Sequence, residues 1–111
     1  MTKIKINMQE PYKTFVLKGI KTVEGRLNKG KFARIKIGDV IEIETETEDI
    51  KFNVIEKNVY SSFREMLEVE GIENVISDKD NIDDAVNVYY RFYTKAQEKK
   101  FKVVAIKLQL N

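Results

Sequence analysis

Four residues in one short stretch carry the polar chemistry that the chain could use: Lys21, Thr22, Glu24 and Arg26, within GIKTVEGRLNKGKFARIKIGD (residues 19–39). In an extended strand successive side chains point to opposite faces. Thr22, Glu24 and Arg26 are thus expected to line one side of a strand, Val23 and Leu27 the other, with Lys21 at the edge of the polar face. A hydroxyl, a carboxylate, a guanidinium and an ammonium supply both signs of charge and both hydrogen-bond roles, an inventory suited to a polar ligand. The same pattern also describes a barrel surface on which Glu24 and Arg26 merely pair with neighbours. Just downstream, Lys29, Lys31 and Arg34 lie in a segment read as a loop over Asn28 to Arg34, where their charges clamp phosphates or stay solvated.

Composition narrows the chemistry further. The chain has neither cysteine nor histidine, which removes thiolates, disulfides, imidazole bases and the usual zinc ligands. Catalysis, if any, falls to carboxylates, lysine, hydroxyls or tyrosine, and no metal or cofactor is expected. The acidic run Glu44 to Asp49 lacks the spacing and turn glycine of a calcium loop and reads as a solvated turn. The net charge of +2 hides an asymmetry: residues 1–38 carry net +8 and residues 39–111 net −6. A segment that basic points to an anionic partner such as nucleic acid. With 42% hydrophobic and 34% charged residues in 111, the expectation is one soluble domain. Without a signal-like apolar segment or a stretch long enough to span a bilayer, the chain reads as cytoplasmic.

The elements that must hold these residues follow from periodicity. Lys3 to Met8 alternates as a half-buried strand. Pro11 opens a short helix with Tyr12, Phe15 and Val16 on one face, and Gly19 stops it. Strands are expected over Ile20 to Leu27, over Val40 to Glu44 and from Ile50 onward, with a bulge where Ile55 follows Val54. Ser62 and Glu65 form a capping box for a helix ending at Gly71, Asn81 caps an amphipathic helix carrying Ile82, Ala85, Val86, Tyr89 and Tyr93, and Thr94 with Gln97 forms a second box. The tyrosine-rich face reads as core and rim before it reads as a base-stacking platform. Phe101 to Leu110 is a nearly continuous apolar run and so a central strand. The order β-α-β-β-β-α-α-β lacks βαβ alternation. It favours an α+β fold: a small, partly open β-barrel of about five to six strands with two to four short helices outside.

The run Lys21-Thr22-Val23-Glu24-Gly25-Arg26-Leu27 after a helix ending in Gly19, with Ile37-Gly38-Asp39 beyond the basic segment, resembles the ASCH domain, a relative of the PUA RNA-binding fold. The resemblance continues through Tyr60-Ser61-Ser62-Phe63 and the closing strand. It implies a single domain over residues 1–111 with a cleft for RNA or a modified nucleoside, to which Lys21, Thr22, Glu24, Arg26, Lys29, Lys31, Arg34, Tyr60 and Ser61 contribute. Some relatives are amidohydrolases that remove acetyl from N4-acetylcytidine, and others are ribonucleases. In the amidohydrolase branch a lysine matching Lys21 acts with a threonine three positions later and a glutamate in the later helical region. Here Glu24 occupies the threonine position, and Glu70 is the candidate for the third residue. An enzyme would therefore use Lys21, Glu24 and Glu70. A binding module would use the cleft alone, and an interaction protein would leave it idle.

Overall fold

The fold is described from a computed structural model covering residues 2–111. The elements run β1 (Lys3–Ile6), α1 (Tyr12–Leu17), β2 (Val23–Leu27), α2 (Gly30–Arg34), β3 (Val40–Ile43), β4 (Ile50–Tyr60), α3 (Phe63–Glu70), α4 (Ile72–Val75), α5 (Ile82–Tyr90), α6 (Lys95–Phe101) and β5 (Val103–Leu110). The strands form one mixed sheet in the order β1-β3-β4-β5-β2, curved into a half-barrel. Among the described residues β1 and β3 pair in parallel and the other neighbours antiparallel. The β4–β5 ladder shifts register between Val54 and Glu56, so Ile55 is the bulge that its doubled apolar pair announces.

Strand β5 lies between β4 and β2, and its two faces feed two cores. Val103 and Ala105 join Phe63, Met66, Leu67 and Tyr89 under the helices. Val104, Ile106 and Leu108 join Ile6, Ile41, Ile43 and Phe52 inside the half-barrel. A strand buried on both sides needs apolar residues at successive positions, which explains the run Val103 to Ile106, and the exposed Lys107 and Gln109 mark where that burial ends.

The helix ends follow their caps. Ser62 accepts from the Glu65 amide at 3.0 Å, Asn81 from the Asp84 amide at 2.9 Å, and Thr94 and Gln97 close a reciprocal capping box. Gly71, at φ 94°, takes the left-handed turn that ends α3. A buried carboxylate that no local pattern marks, Glu98, accepts from the Phe63 amide at 2.7 Å and from the Tyr90 hydroxyl at 2.7 Å. It thereby ties α3, α5 and α6 together.

Three local expectations are corrected. The segment expected as a loop over Asn28 to Arg34 contains the helical turn α2, and α4 follows Gly71, so among the described residues six helices surround the sheet where two to four were expected. Both additions are four or five residues long, too short to show a helical period. Strand β2 begins at Val23, not Ile20, because Gly19, Ile20 and Lys21 are still being turned out of α1. The amides of Ile20 and Lys21 both donate to the Phe15 carbonyl, at 2.8 and 3.1 Å.

Candidate functional site

The β2 alternation places Glu24 and Arg26 on one face, and Lys21 joins them from the turn before the strand. Residues 21 and 24 would lie on opposite faces of a regular strand. They meet because the ladder with β5 starts only at Val23. Lys21 Nζ lies 3.2 Å from Glu24 Oε1, while Arg26 donates to Glu24 Oε2 from Nε at 3.0 Å and approaches it with Nη2 at 2.8 Å. Arg26 Nη2 also donates to the Asn7 carbonyl at the end of β1. It thereby bridges the gap between the two edge strands of the half-barrel, and Lys31 Nζ, which donates to the Lys5 carbonyl at 2.8 Å, ties α2 to β1 beside it.

Lys21 is 2% exposed. Its ammonium donates to the Val23 carbonyl at 2.6 Å and to the Val75 carbonyl at 2.5 Å, and Glu24 takes the third direction. An ammonium has three N–H groups and a neutral amine two, so three acceptors around Nζ fit the charged form. Burial pushes the Lys21 pKa down, and Glu24 opposes that push. For Glu24, burial acts to raise the pKa, but Lys21 and Arg26 together outweigh it and hold the carboxyl below its ordinary value. Arg26 loses hydration as well, yet Glu24 raises its pKa further. The cluster is a fixed +, −, + array with little freedom to change protonation near neutral pH.

Around the array lies a cleft of about 230 Å³, walled by Asn7, Met8 and Gln9 from the β1–α1 loop, by Tyr12, Gly25 and Ile76, and by Val88, Tyr89, Phe92 and Tyr93 at the end of α5. Tyr89 stacks on Phe63 with ring centroids 4.2 Å apart and planes 8° from parallel, which fixes its ring. Gly25 is required here. A Cβ at that position would stand 2.7 Å from Met66 Sδ and Cε and 2.7 Å from Tyr89 Oη. Burial pushes the Tyr89 hydroxyl well above its ordinary pKa, and Tyr12 and Tyr93 are raised for the same first reason, Tyr12 to about 12. These phenols therefore stay protonated. The cleft offers a carboxylate acceptor, aromatic faces and hydroxyls that both donate and accept.

A family model of the ASCH domain matches residues 6–111. The chain belongs to the ASCH domain family. That family is PUA-like and RNA-associated. Among solved structures, the chain is similar to the crystal structure of the hypothetical protein PH0355, at 43% identity and TM-score 0.92 over 99% of this chain and 100% of that one. It is also similar to the solution NMR structure of protein PF0455 from Pyrococcus furiosus, at 40% identity and TM-score 0.81 over 98% and 97%. No curated protein matches.

The structure separates the residues that the sequence grouped in this ASCH domain. Lys21, Glu24 and Arg26 line the cleft, although Lys21 is buried and not at its edge. Thr22 does not line it. Its amide donates to the Asn74 carbonyl at 3.0 Å and its carbonyl accepts from Leu108 at 2.8 Å, so it belongs to the packing of α4 and β5. Lys29 and Lys31 line a neighbouring cavity that shares Arg26, Phe92 and Tyr93 with the cleft. Arg34 lies in a different groove, with Lys36 and Lys57, which Lys31 also borders. Tyr60, Ser61 and Glu70 stand apart from the cleft. The Tyr60 hydroxyl donates to Glu70, and Ser61 bonds Glu65 through its amide at 3.1 Å and its hydroxyl at 3.2 Å.

Sequence reasoning missed the other wall. Asn7 falls inside the strand expected over Lys3 to Met8, which ends at Ile6, and Gln9 just after it, so neither stood out as a site residue. Phe92 gave no signal either: three residues after Tyr89 and seven after Ala85, it falls in step with the apolar stripe, yet it lies beyond the end of α5, 55% exposed, on the wall of the cleft.

Proposed function

We propose that the cleft binds one nucleobase of an RNA or nucleotide, with Glu24 accepting from the amino or imino N–H groups of the base and the α5 aromatic residues packing against its ring. The reading is carried by the saturated Lys21–Glu24–Arg26 array. Its carboxylate is ionised, buried and held still, and a carboxylate has about four acceptor sites, of which the two cations leave at least one open. Base edges present N–H donors to such an acceptor, and single bases in RNA are commonly recognised by hydrogen bonds on one edge and aromatic packing on a face. A cleft of about 230 Å³ falls below the roughly 300–1,000 Å³ of sites for drug-sized ligands, which suits one ring system.

The hydrolase alternative fits the same residues less well. Lys21 has spent its three donors and has none for an oxyanion, a carboxylate held below its ordinary pKa by two cations is a weak general base, and Glu70 is bonded to Tyr60 outside the cleft.

Calorimetric titration with the four nucleosides, their monophosphates and short RNAs tests the proposal. Glu24→Gln keeps the shape, removes the charge and adds a donor. It is expected to weaken binding by about 1–3 kcal/mol, the scale of a charge-assisted hydrogen bond, in protein shown by circular dichroism to be folded. Equal affinities across the panel would assign Glu24 to structure alone. Chromatography of N4-acetylcytidine incubated with the protein covers the alternative: cytidine release that disappears in Lys21→Ala would replace the binding reading with the enzymatic one.

A further inference from the structure

The base cleft has two flanks of opposite charge, and they reach it through different walls. Past Arg26, Phe92 and Tyr93 lies a cavity of about 340 Å³ that adds Lys29, Lys31 and Gln97. Past Asn7 and Met8 lies one of about 360 Å³ that adds Lys13, Thr45 and the carboxylates of Glu44 and Glu46. We infer that the cleft takes a mononucleotide or the terminal nucleotide of an RNA, its phosphate lying on the Lys29/Lys31 flank, and not a nucleotide inside a strand. This rests on the base-binding reading and adds the position of the base in its chain.

The reasoning is electrostatic and steric. A nucleotide within a strand carries phosphate on both sides of its sugar, so with its base in the cleft it sends anionic chain out in two directions. One flank can receive it. Lys29 Nζ lies 4.8 Å from the centre of the Phe101 ring with no hydrogen-bonding partner among the described residues. Lys31 spends one of its three donors on the Lys5 carbonyl, and Arg26 commits Nε and Nη2 but not Nη1. Phosphate oxygens accept charge-assisted bonds from such groups. The other flank sets two carboxylates against one ammonium, and at a few ångströms phosphate and carboxylate repel within the screening length of roughly 10 Å at 0.1 M salt. Phe92 stands between the cleft and the basic flank, where a sugar would cross.

The test is calorimetric. Each nucleoside is compared with its 5′- and 3′-monophosphates, and the preferred base is then placed first, middle or last in a trinucleotide whose other two positions are abasic. One of the two monophosphates is expected to bind about tenfold tighter or more than the nucleoside, the scale of one charge-assisted hydrogen bond. Lys29→Gln alone should lose part of that gain and Lys29→Gln/Lys31→Gln most of it, with nucleoside affinity unchanged. The trinucleotide with the base at the matching end should follow the monophosphate, and the one with the base in the middle should bind at least about tenfold more weakly. Glu44→Gln/Glu46→Gln should narrow that gap. Equal binding of end and middle positions, or monophosphates no tighter than nucleosides, overturns the inference while base binding stands if Glu24→Gln still weakens the nucleoside. No binding by any member of the series overturns both.

Discussion

Strand β2 and helix α2, each with the turn before it, are neighbours in sequence and both carry cations, yet they hold them in opposite ways. Arg26 in β2 and Lys21 in the turn before it are locked onto Glu24 and onto backbone carbonyls, and the point at which the ladder with β5 begins brings the three together. In α2 and the turn before it, Lys29, Lys31 and Arg34 are exposed and touch at most a carbonyl or an aromatic ring. Burial converts charge into architecture, because a desolvated ion must be matched by partners that then cannot move. Exposure keeps charge available but weak per group. A recognition site profits from both: the buried array presents one fixed acceptor, and the exposed cations attract an anion without fixing its pose.

The largest effect should follow from removing the most deeply buried member of the array, Lys21. Lys21→Met keeps the volume but strips Glu24 and two buried carbonyls of their donor, and breaking a buried pair by losing one partner costs about 3–5 kcal/mol. Urea unfolding monitored by circular dichroism is expected to show that loss, whereas Arg34→Met should change stability by less than about 0.5 kcal/mol. Comparable effects at the two positions would erase the distinction between the regions. By the same reasoning Glu24→Gln will lower stability as well as affinity, since it leaves Lys21 buried with only carbonyl partners.

Next in size is Gly25→Ala. The added methyl group meets the ends of the Met66 and Tyr89 side chains at 2.7 Å, so one or both must shift, and overpacking of this kind costs about 1–3 kcal/mol. The end of Met66 is flexible, so the Tyr89 ring decides the outcome. If the ring moves, the stack on Phe63 is disturbed and the cleft floor rises, which should reduce base affinity further than stability alone explains. Titration and unfolding of the same variant separate the two.

Much of this architecture is legible in the chain because its causes are local. Ser62, Asn81 and Thr94 cap helices through residues three positions away, and the doubled apolar pair at Val54 and Ile55 marks a bulge without reference to any partner strand. The cleft is legible only by half. Glu24 and Arg26 share a face by simple alternation, but that Lys21 joins them depends on where the β5 ladder begins, and Asn7, Tyr12 and Phe92 arrive from elements far away in sequence. Alternation also misplaced Thr22, whose backbone is held by Asn74 and Leu108. Glu98 shows the same limit: nothing near it in sequence says that a carboxylate will be buried against the start of α3.

Titration contrasts the regions in another way. The folded-state pKa of Glu24 is depressed, so its stabilising contribution is present above its unfolded value near 4.5 and is lost as pH falls through the lower folded value. At the alkaline end all five tyrosines have raised pKa values, Tyr12 and Tyr90 to about 12. Between pH 10.0 and those values the folded protein holds protons that the unfolded chain has released, so stability falls as pH rises. Lys21 acts the other way, because its lowered pKa makes the unfolded chain the better proton binder below 10.5. Five phenols against one ammonium should leave a net alkaline loss. Denaturant midpoints across pH should thus form a plateau with two shoulders, and a plateau unbroken to pH 11 would mean that the tyrosines are more open to water than their packing indicates.

The smallest effects belong to the exposed cations and are read through salt. Each phosphate contact on a single strand contributes about 0.7 to the slope of log affinity against log salt, through counterion release. The sequence alone groups Lys29, Lys31 and Arg34 as three equivalent contacts. The structure grades them: Lys29 borders the cavity beside the cleft, Arg34 lies in a separate groove with Lys36 and Lys57, and Lys31 stands between, lining both. A short RNA with its preferred base at the favoured end should therefore lose up to about 1.4 from its slope in Lys29→Gln/Lys31→Gln, two contacts at about 0.7 each, and nothing in Arg34→Gln. The double variant removes two charges and Arg34→Gln one, so the slopes are compared per charge removed, and a difference on that scale comes from position. Equal flattening by Arg34→Gln would mean that RNA follows α2 past the cleft and along the second groove, and that the cations of α2 act as one undivided surface.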